Sequence, residues 1–233
     1  MILCVIYIII TKISEEKTNY FFKGMIMNTE INLDEYIEDK LFLNMLWANI
    51  FSLIVFIIFS IILGGSFYLI WHQKINIFPE VNIDDKKRIF LFLQNFSISL
   101  IVFIIGLILH ELIHGLFYLI FTKNKFKSIK FGLKLKYGAA YCLCTELLKV
   151  KYSIISTIMP AIILGFIPGI IAVITGNLFL LIFAIVFISA GAGDFLIVMK
   201  LFKEDKENYV LDVLGEKNYM YIYRKKSPNK NNA

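Results

Sequence analysis

The sequence predicts a membrane all-α bundle of about four transmembrane helices, with a small cytoplasmic β-hairpin insert and a strand-like C-terminal tail. Three observations carry that prediction. Hydrophobic residues make up 58% of the 233, against roughly 45–50% in soluble domains, and the mean hydropathy is +0.73. Four apolar segments approach or exceed the length of a span, about 20 residues. Lys and Arg are sorted onto alternate sides of those segments.

The first apolar segment, Met45–Trp71, carries no charge. The second, Ile89–Phe121, is too long for one upright crossing. At about 1.5 Å per residue it measures roughly 50 Å against a core of about 30 Å. It is expected to tilt, to kink near Gly106, or to begin in the interface around Gln94 and Asn95. The third, Ser153–Thr175, contains Pro160 and Pro168, and the fourth, Leu178–Met199, contains Asp194. Two prolines with Gly165 and Gly169 suggest a bent helix, either beside a functional site or without a role.

Residues 1–44 carry four Lys and Arg, 72–88 four, 122–152 eight, 175–177 none and 200–233 eight. Four spans place 20 of these 24 on one side. By the positive-inside rule both termini and the 122–152 insert are expected to be cytoplasmic, in an integral membrane protein. The net charge of +6 is thus read as topology and not as a nucleic-acid surface. Three unevenly spaced cysteines give no disulfide framework.

The expected organisation is an N-terminal segment 1–44, a four-span domain 45–199 holding the 122–152 hairpin, and a tail 200–233. "MILCVIYIII" is too short to span and lacks the flanks of a signal peptide; Met25 or Met27 is an alternative first residue. Residues 28–44 are acidic and amphipathic and are expected to form a short surface helix. In the insert, "SIKFGLKLKYG" alternates apolar and polar residues with period two, the mark of a half-buried strand. Gly138 punctuates it, and "AAYCLCTELLKVK" can return as the second strand. An edge of this hairpin could add an extended substrate strand, or the lysines Lys123 to Lys136 could be only a basic face toward the bilayer. The tail "NYVLDVLGEKNYMYIYRKK" also reads as a hairpin, turning near Gly215.

The chemistry lies in "GLILHELIHGLFYLI". His110, Glu111 and His114 form an H-E-x-x-H motif. On a helix, residues i and i+4 share a face, so both imidazoles can reach one ion. Glu111 stands beside the pair as a general base toward a metal-activated water. Zinc suits imidazole, and a catalytic site takes three protein ligands. The alternative is two histidines hydrogen-bonded to neighbouring helices. Within a membrane, however, ionisable residues usually mark function.

Asp194 is the first candidate for the third ligand, being the single acid between Ser153 and Met199. At helical rise, His114 lies about 12 Å, His110 about 18 Å and Asp194 about 9 Å below the cytoplasmic ends of their spans. The small residues of "SAGAGD" let that helix approach its neighbour. An aspartate near a helix end paired with Lys200 is the plainer reading. Glu146 competes as third ligand, although a surface glutamate is the simpler reading. Cys142 and Cys144 could bind metal as thiolates or pack as reduced thiols. His72 reads as an interfacial residue beside Trp71.

These features resemble a bacterial family of membrane-bound zincin peptidases, itself similar in layout to the site-2 class of intramembrane metalloproteases. The resemblance covers roughly Asn28 to Tyr223 and rests on His110, Glu111 and His114, the strand-rich insert, the proline-containing span and Asp194. Site-2 enzymes commonly take their third ligand from an N-P-x-x-x-x-D-G run. Here that run is absent, and Phe195 follows Asp194 where a glycine would stand. The resemblance implies zinc-dependent hydrolysis of peptides near the cytoplasmic membrane face. The resulting expectation is a zinc endopeptidase with His110, His114 and Asp194 as metal ligands and Glu111 as catalytic base. Its expected partners are the lipid bilayer and a peptide or membrane-protein substrate. The alternative is a non-enzymatic membrane protein that binds metal or a partner on a peptidase scaffold.

Overall fold

The computed structural model describes residues 31–73, 84–134, 139–212 and 219–226. A short 3-10 turn, Leu33–Glu35, leads into strand β1 (Tyr36–Phe42). Helix α1 (Met45–Phe59) follows and continues through a π turn, Ser60–Gly64, into α2 (Gly65–Trp71). The Asn44 side chain caps α1, accepting from the N–H groups of Leu46 and Trp47. Helix α3 (Asp85–Phe121) runs unbroken for 37 residues. Strands β2 (Ile129–Lys134) and β3 (Ala139–Cys144) pair antiparallel, with Phe131 opposite Cys142. After β4 (Leu148–Lys149), helix α4 (Val150–Pro160) leads through a π segment, Ala161–Phe166, into α5 (Ile167–Thr175). Helices α6 (Leu178–Ala190) and α7 (Ala192–Leu201) meet at a 47° bend. Strands β5 (Tyr209–Asp212) and β6 (Tyr219–Lys225) close the described chain.

Among the described residues, three helices are long and apolar enough to cross a membrane, or four if the bent α6–α7 pair counts as one span. Their outward faces carry Ile, Leu and Phe side chains in the open, among them Leu53, Ile61, Phe92, Ile101, Ile108 and Ile174. Exposed apolar surface of that extent is compatible with insertion into lipid.

Four sequence expectations change. The 28–44 segment is a strand over Tyr36–Phe42, not a surface helix. Its partner is β6, nearly two hundred residues later, with Asp39 opposite Ile222. The acids read as a solvated helical face are cross-strand partners: Arg224 bonds Asp39 at 2.8 Å, and the Tyr223 hydroxyl donates to Glu38 at 3.1 Å. Helix α3 does not break at Gly106. The missing side chain there seats the Phe187 ring, which a Cβ would meet at 2.3 Å. The return strand of the insert stops at Cys144, and Leu148–Lys149 joins the other sheet. The fourth apolar segment bends at Gly191, because small residues there let α6 approach the π segment near Ala161.

The tail strands pair as expected, and their turn near Gly215 lies outside the described residues, as do Gly138 and residues 1–30. They also join β1 and β4 in a four-stranded sheet of order β1-β6-β5-β4. That sheet packs on one end of the bundle. Tyr118, Ile129, Cys142, Cys144, Val150, Leu201, Val210 and Ile222 form one buried core there, drawn from helices and both sheets.

The hairpin folds back along α3. Phe131 and Cys142 share its inner face and press on Gly115, where a Cβ would lie 2.6 Å from the Phe131 ring and 3.5 Å from the Cys142 sulfur. A Cβ at position 115 would force the Phe131 ring to shift. Gly115→Val is expected to lift the hairpin from α3 and destabilise the fold by about 1–3 kcal/mol, the usual cost of overpacking. Faster proteolytic cleavage between residues 126 and 145 in detergent micelles is the measurement.

Candidate metal centre

His110 and His114 lie one turn apart on the buried face of α3, with 7% and 6% of their surfaces exposed. Their rings meet edge to face, with centroids 4.9 Å apart. Asp194 enters from the first turn of α7, turned toward α3 by the bend at Gly191. Its Oδ2 lies 3.1 Å from His110 Nε2 and 3.4 Å from His114 Nε2. One ligand atom from each of the three residues falls within 4.8 Å of the others.

Those spacings fit a zinc ion. Tetrahedral ligands at about 2.0–2.1 Å from the metal stand about 3.3 Å from one another. The proton inventory agrees. His114 Nδ1 lies 2.9 Å from the carbonyl oxygen of Ser156. A carbonyl can only accept, so Nδ1 carries the proton and Nε2 is turned toward Asp194. Nε2 and the carboxylate would then oppose each other as two acceptors unless a positive species, a proton or a metal ion, sits between them. An imidazole whose other nitrogen is fixed by a carbonyl is the usual form of a metal-ligating histidine. His110 Nδ1 is buried and has no partner among the described residues.

Glu111 faces the hairpin side of α3. The backbone N–H of Cys142 faces its carboxylate, which also feels the charges of His114, His110 and Asp194. Along a strand, N–H groups alternate between the two edges. In β3, Cys142 and Cys144 therefore point their N–H groups away from β2, the first to Glu111 and the second to Asp212 at 3.0 Å. A cavity of about 340 Å³ opens beside Glu111, lined by Ile108, Leu112, Phe131, Leu133 and Ala140.

Asp212 was not legible as a site residue, since a lone acid ending a tail strand carries no sequence signal. It is half-buried beside Tyr118, whose hydroxyl faces both its carboxyl and the Thr157 side chain. Tyr118 lies one turn beyond His114, and the two rings stack at 6.5 Å. This polar chain ties α3 to α4, β5 and β3 directly behind the histidines.

The remaining candidates lie elsewhere. Glu146 accepts from the N–H groups of Lys123 and Asn124 and from the Ser128 hydroxyl at 2.7 Å. Burial alone would raise its pKa, but these donors, Ser128 foremost, hold the carboxyl below its usual value. It clamps the start of the hairpin to the end of α3. Burial pushes both the Cys142 and Cys144 thiols up, so they pack as neutral groups. His72 hydrogen-bonds the Tyr68 carbonyl at 3.0 Å on the exposed end of α2.

Burial raises the Asp212 pKa to about 6, against the opposing pull of its Cys144 N–H donor. A carboxyl raised above its unfolded value of about 3.9 lends stability below about pH 4 and loses it as pH rises through about 6. Asp212→Asn keeps an oxygen for Cys144 and cannot ionise. Between pH 4 and 7 the wild-type protein is expected to lose up to about 3 kcal/mol relative to this variant, measured by chemical denaturation in micelles at each pH.

No curated protein and no solved structure matches the chain. A model of the family described as "Putative zincin peptidase" matches residues 103–209. The matched stretch contains His110, Glu111, His114 and Asp194 together with the hairpin and the proline-bearing helix. The match, over somewhat less than half of the chain, suggests a metallopeptidase.

Proposed function

We propose that this protein is a membrane-embedded zinc endopeptidase that hydrolyses membrane-associated peptides near the cytoplasmic face. One observation carries the reading. The carboxylate of Asp194 reaches both histidines of the H-E-x-x-H motif, at 3.1 and 3.4 Å, from a separate helix. His110, His114 and Asp194 would hold the ion. When bound, zinc supplies a Lewis acid that polarises a carbonyl and brings the pKa of water to about 7.

The chain's own residues do the rest. Glu111 accepts the proton of the attacking water on its carboxylate and delivers it to the nitrogen of the leaving amine. The Cys142 N–H holds that carboxylate at the mouth of the cavity. An extended peptide lying there would place an apolar side chain against Ile108, Leu112 and Leu133 with its backbone beside Glu111. The Lys and Arg distribution supports cytoplasmic termini and a site opening toward that side. The layout is similar to that of site-2-type proteases in its order of motif helix, strand insert and late aspartate.

Two variants test the reading against a metal-binding protein without catalytic activity. Glu111→Gln is expected to lower cleavage of a quenched fluorescent apolar peptide at least 100-fold while zinc content stays at one ion per chain. Asp194→Ala is expected to lose both zinc and cleavage. Undiminished turnover by Glu111→Gln would refute the general base. Stoichiometric zinc with no cleavage by the unsubstituted protein would favour the non-enzymatic alternative.

A further inference from the structure

We infer that Pro160 is a positioning residue for the metal centre, acting through the one backbone carbonyl that its missing N–H leaves free. The inference rests on the reading of His114 as a metal ligand. In an α-helix the N–H of residue i bonds the carbonyl of residue i−4. For position 160 that carbonyl belongs to Ser156. Proline has no N–H, so the Ser156 carbonyl has no intrahelical claim from position 160. It accepts instead from His114 Nδ1 across the helix interface, at 2.9 Å.

This carbonyl is shut away from solvent. Ser156 and Pro160 are fully buried, and His114 is 6% exposed. Removing His114 or its proton would leave a buried acceptor unpaired, at a cost of several kcal/mol by transfer estimates. The helix absorbs the proline without breaking. Ala161 N–H bonds back to the Ile158 carbonyl, and the π segment Ala161–Phe166 begins there. The Ser156 side chain plays no part, because its hydroxyl is buried with no partner among the described residues. The carbonyl of position 156 and the absence of a proton at position 160 are the functional pair.

The consequence runs against helix propensity. Pro160→Ala supplies a good helix former and a competing N–H for the same carbonyl. It should leave the fold intact and loosen His114. Zinc affinity, measured by competition with a chelator on the purified full chain, is expected to fall about 10–100-fold, the usual cost of losing such a partner. Replacing position 160 by an α-hydroxy acid through nonsense suppression removes the N–H without the ring, and should restore wild-type affinity.

A second readout needs no metal. The chain has three histidines, so the Nδ1–H of His114 can be followed by nitrogen-15 labelling in the metal-free protein. Its exchange with solvent should be slow in the wild type and at least tenfold faster in Pro160→Ala. Equal exchange in the two proteins overturns the inference, as does wild-type affinity in Pro160→Ala. So does a loss of affinity that the α-hydroxy acid fails to restore, which would assign the effect to the ring. Failure of the unsubstituted protein to bind zinc sinks the peptidase reading alone, because the exchange measurement still decides the role of Pro160.

Discussion

A carboxylate inside an apolar bundle is tolerable only when paired. The pairing of Asp194 with His110 and His114 is the constraint around which the helices are arranged. Asp194 sits early in α7, so α6 cannot continue straight. The bend at Gly191 turns that first turn toward α3, and Gly191 and Ala161 make the close approach possible. Were α6 and α7 one straight helix, the acid would be carried away from the two rings and would need another partner.

Helix α3 is the rigid member. It has no proline and no π turn over its 37 residues, so the spacing of its two histidines is fixed by helical geometry alone. Its two functional faces are separate. One presents the imidazoles to α4 and α7. The other presents Glu111 to the hairpin, where Gly115 lets Phe131 and Cys142 close in. A single strand serves both: β3 gives one outward N–H to Glu111 and the next to Asp212, which bonds Tyr118 behind His114. The hairpin is therefore a wall of the site and not an appendage of the loop between spans.

The composition, the apolar segments and the period-two insert made the architecture legible, because each is a local pattern. The H-E-x-x-H spacing made two imidazoles on one helix face legible for the same reason. Asp194 was legible by elimination, as a lone acid in an apolar run. What was hidden depended on distant partners. Tyr36–Phe42 reads as an amphipathic helix until β6 supplies backbone bonds. Asp212 and Ser156 bear on the site only through groups 68 and 42 residues away in sequence. No local periodicity reports such pairings. The bend at Gly191 was half visible: the small residues were noted as permitting close approach, yet a run of Gly and Ala allows a break as readily as a contact.

The irregular helices and the straight one divide the work by a physical rule. A regular helix engages its own carbonyls and leaves each only a second lone pair to offer a site. Where ligation also needs a backbone acceptor, a carbonyl released from the ladder is the more open one, and proline releases one four residues back without adding a competing donor. Such a defect is costly when exposed to lipid. Here Pro160 is fully buried and the freed carbonyl is used. The same reasoning separates Pro168. It stands at the second position of α5, directly after the π segment and away from the cluster. There the ladder is in π register, with Ile167 N–H on the Ile162 carbonyl, and a missing N–H at the start of a helix costs little. Of the two prolines that distinguish this helix in the sequence, only Pro160 has a partner in the chemistry.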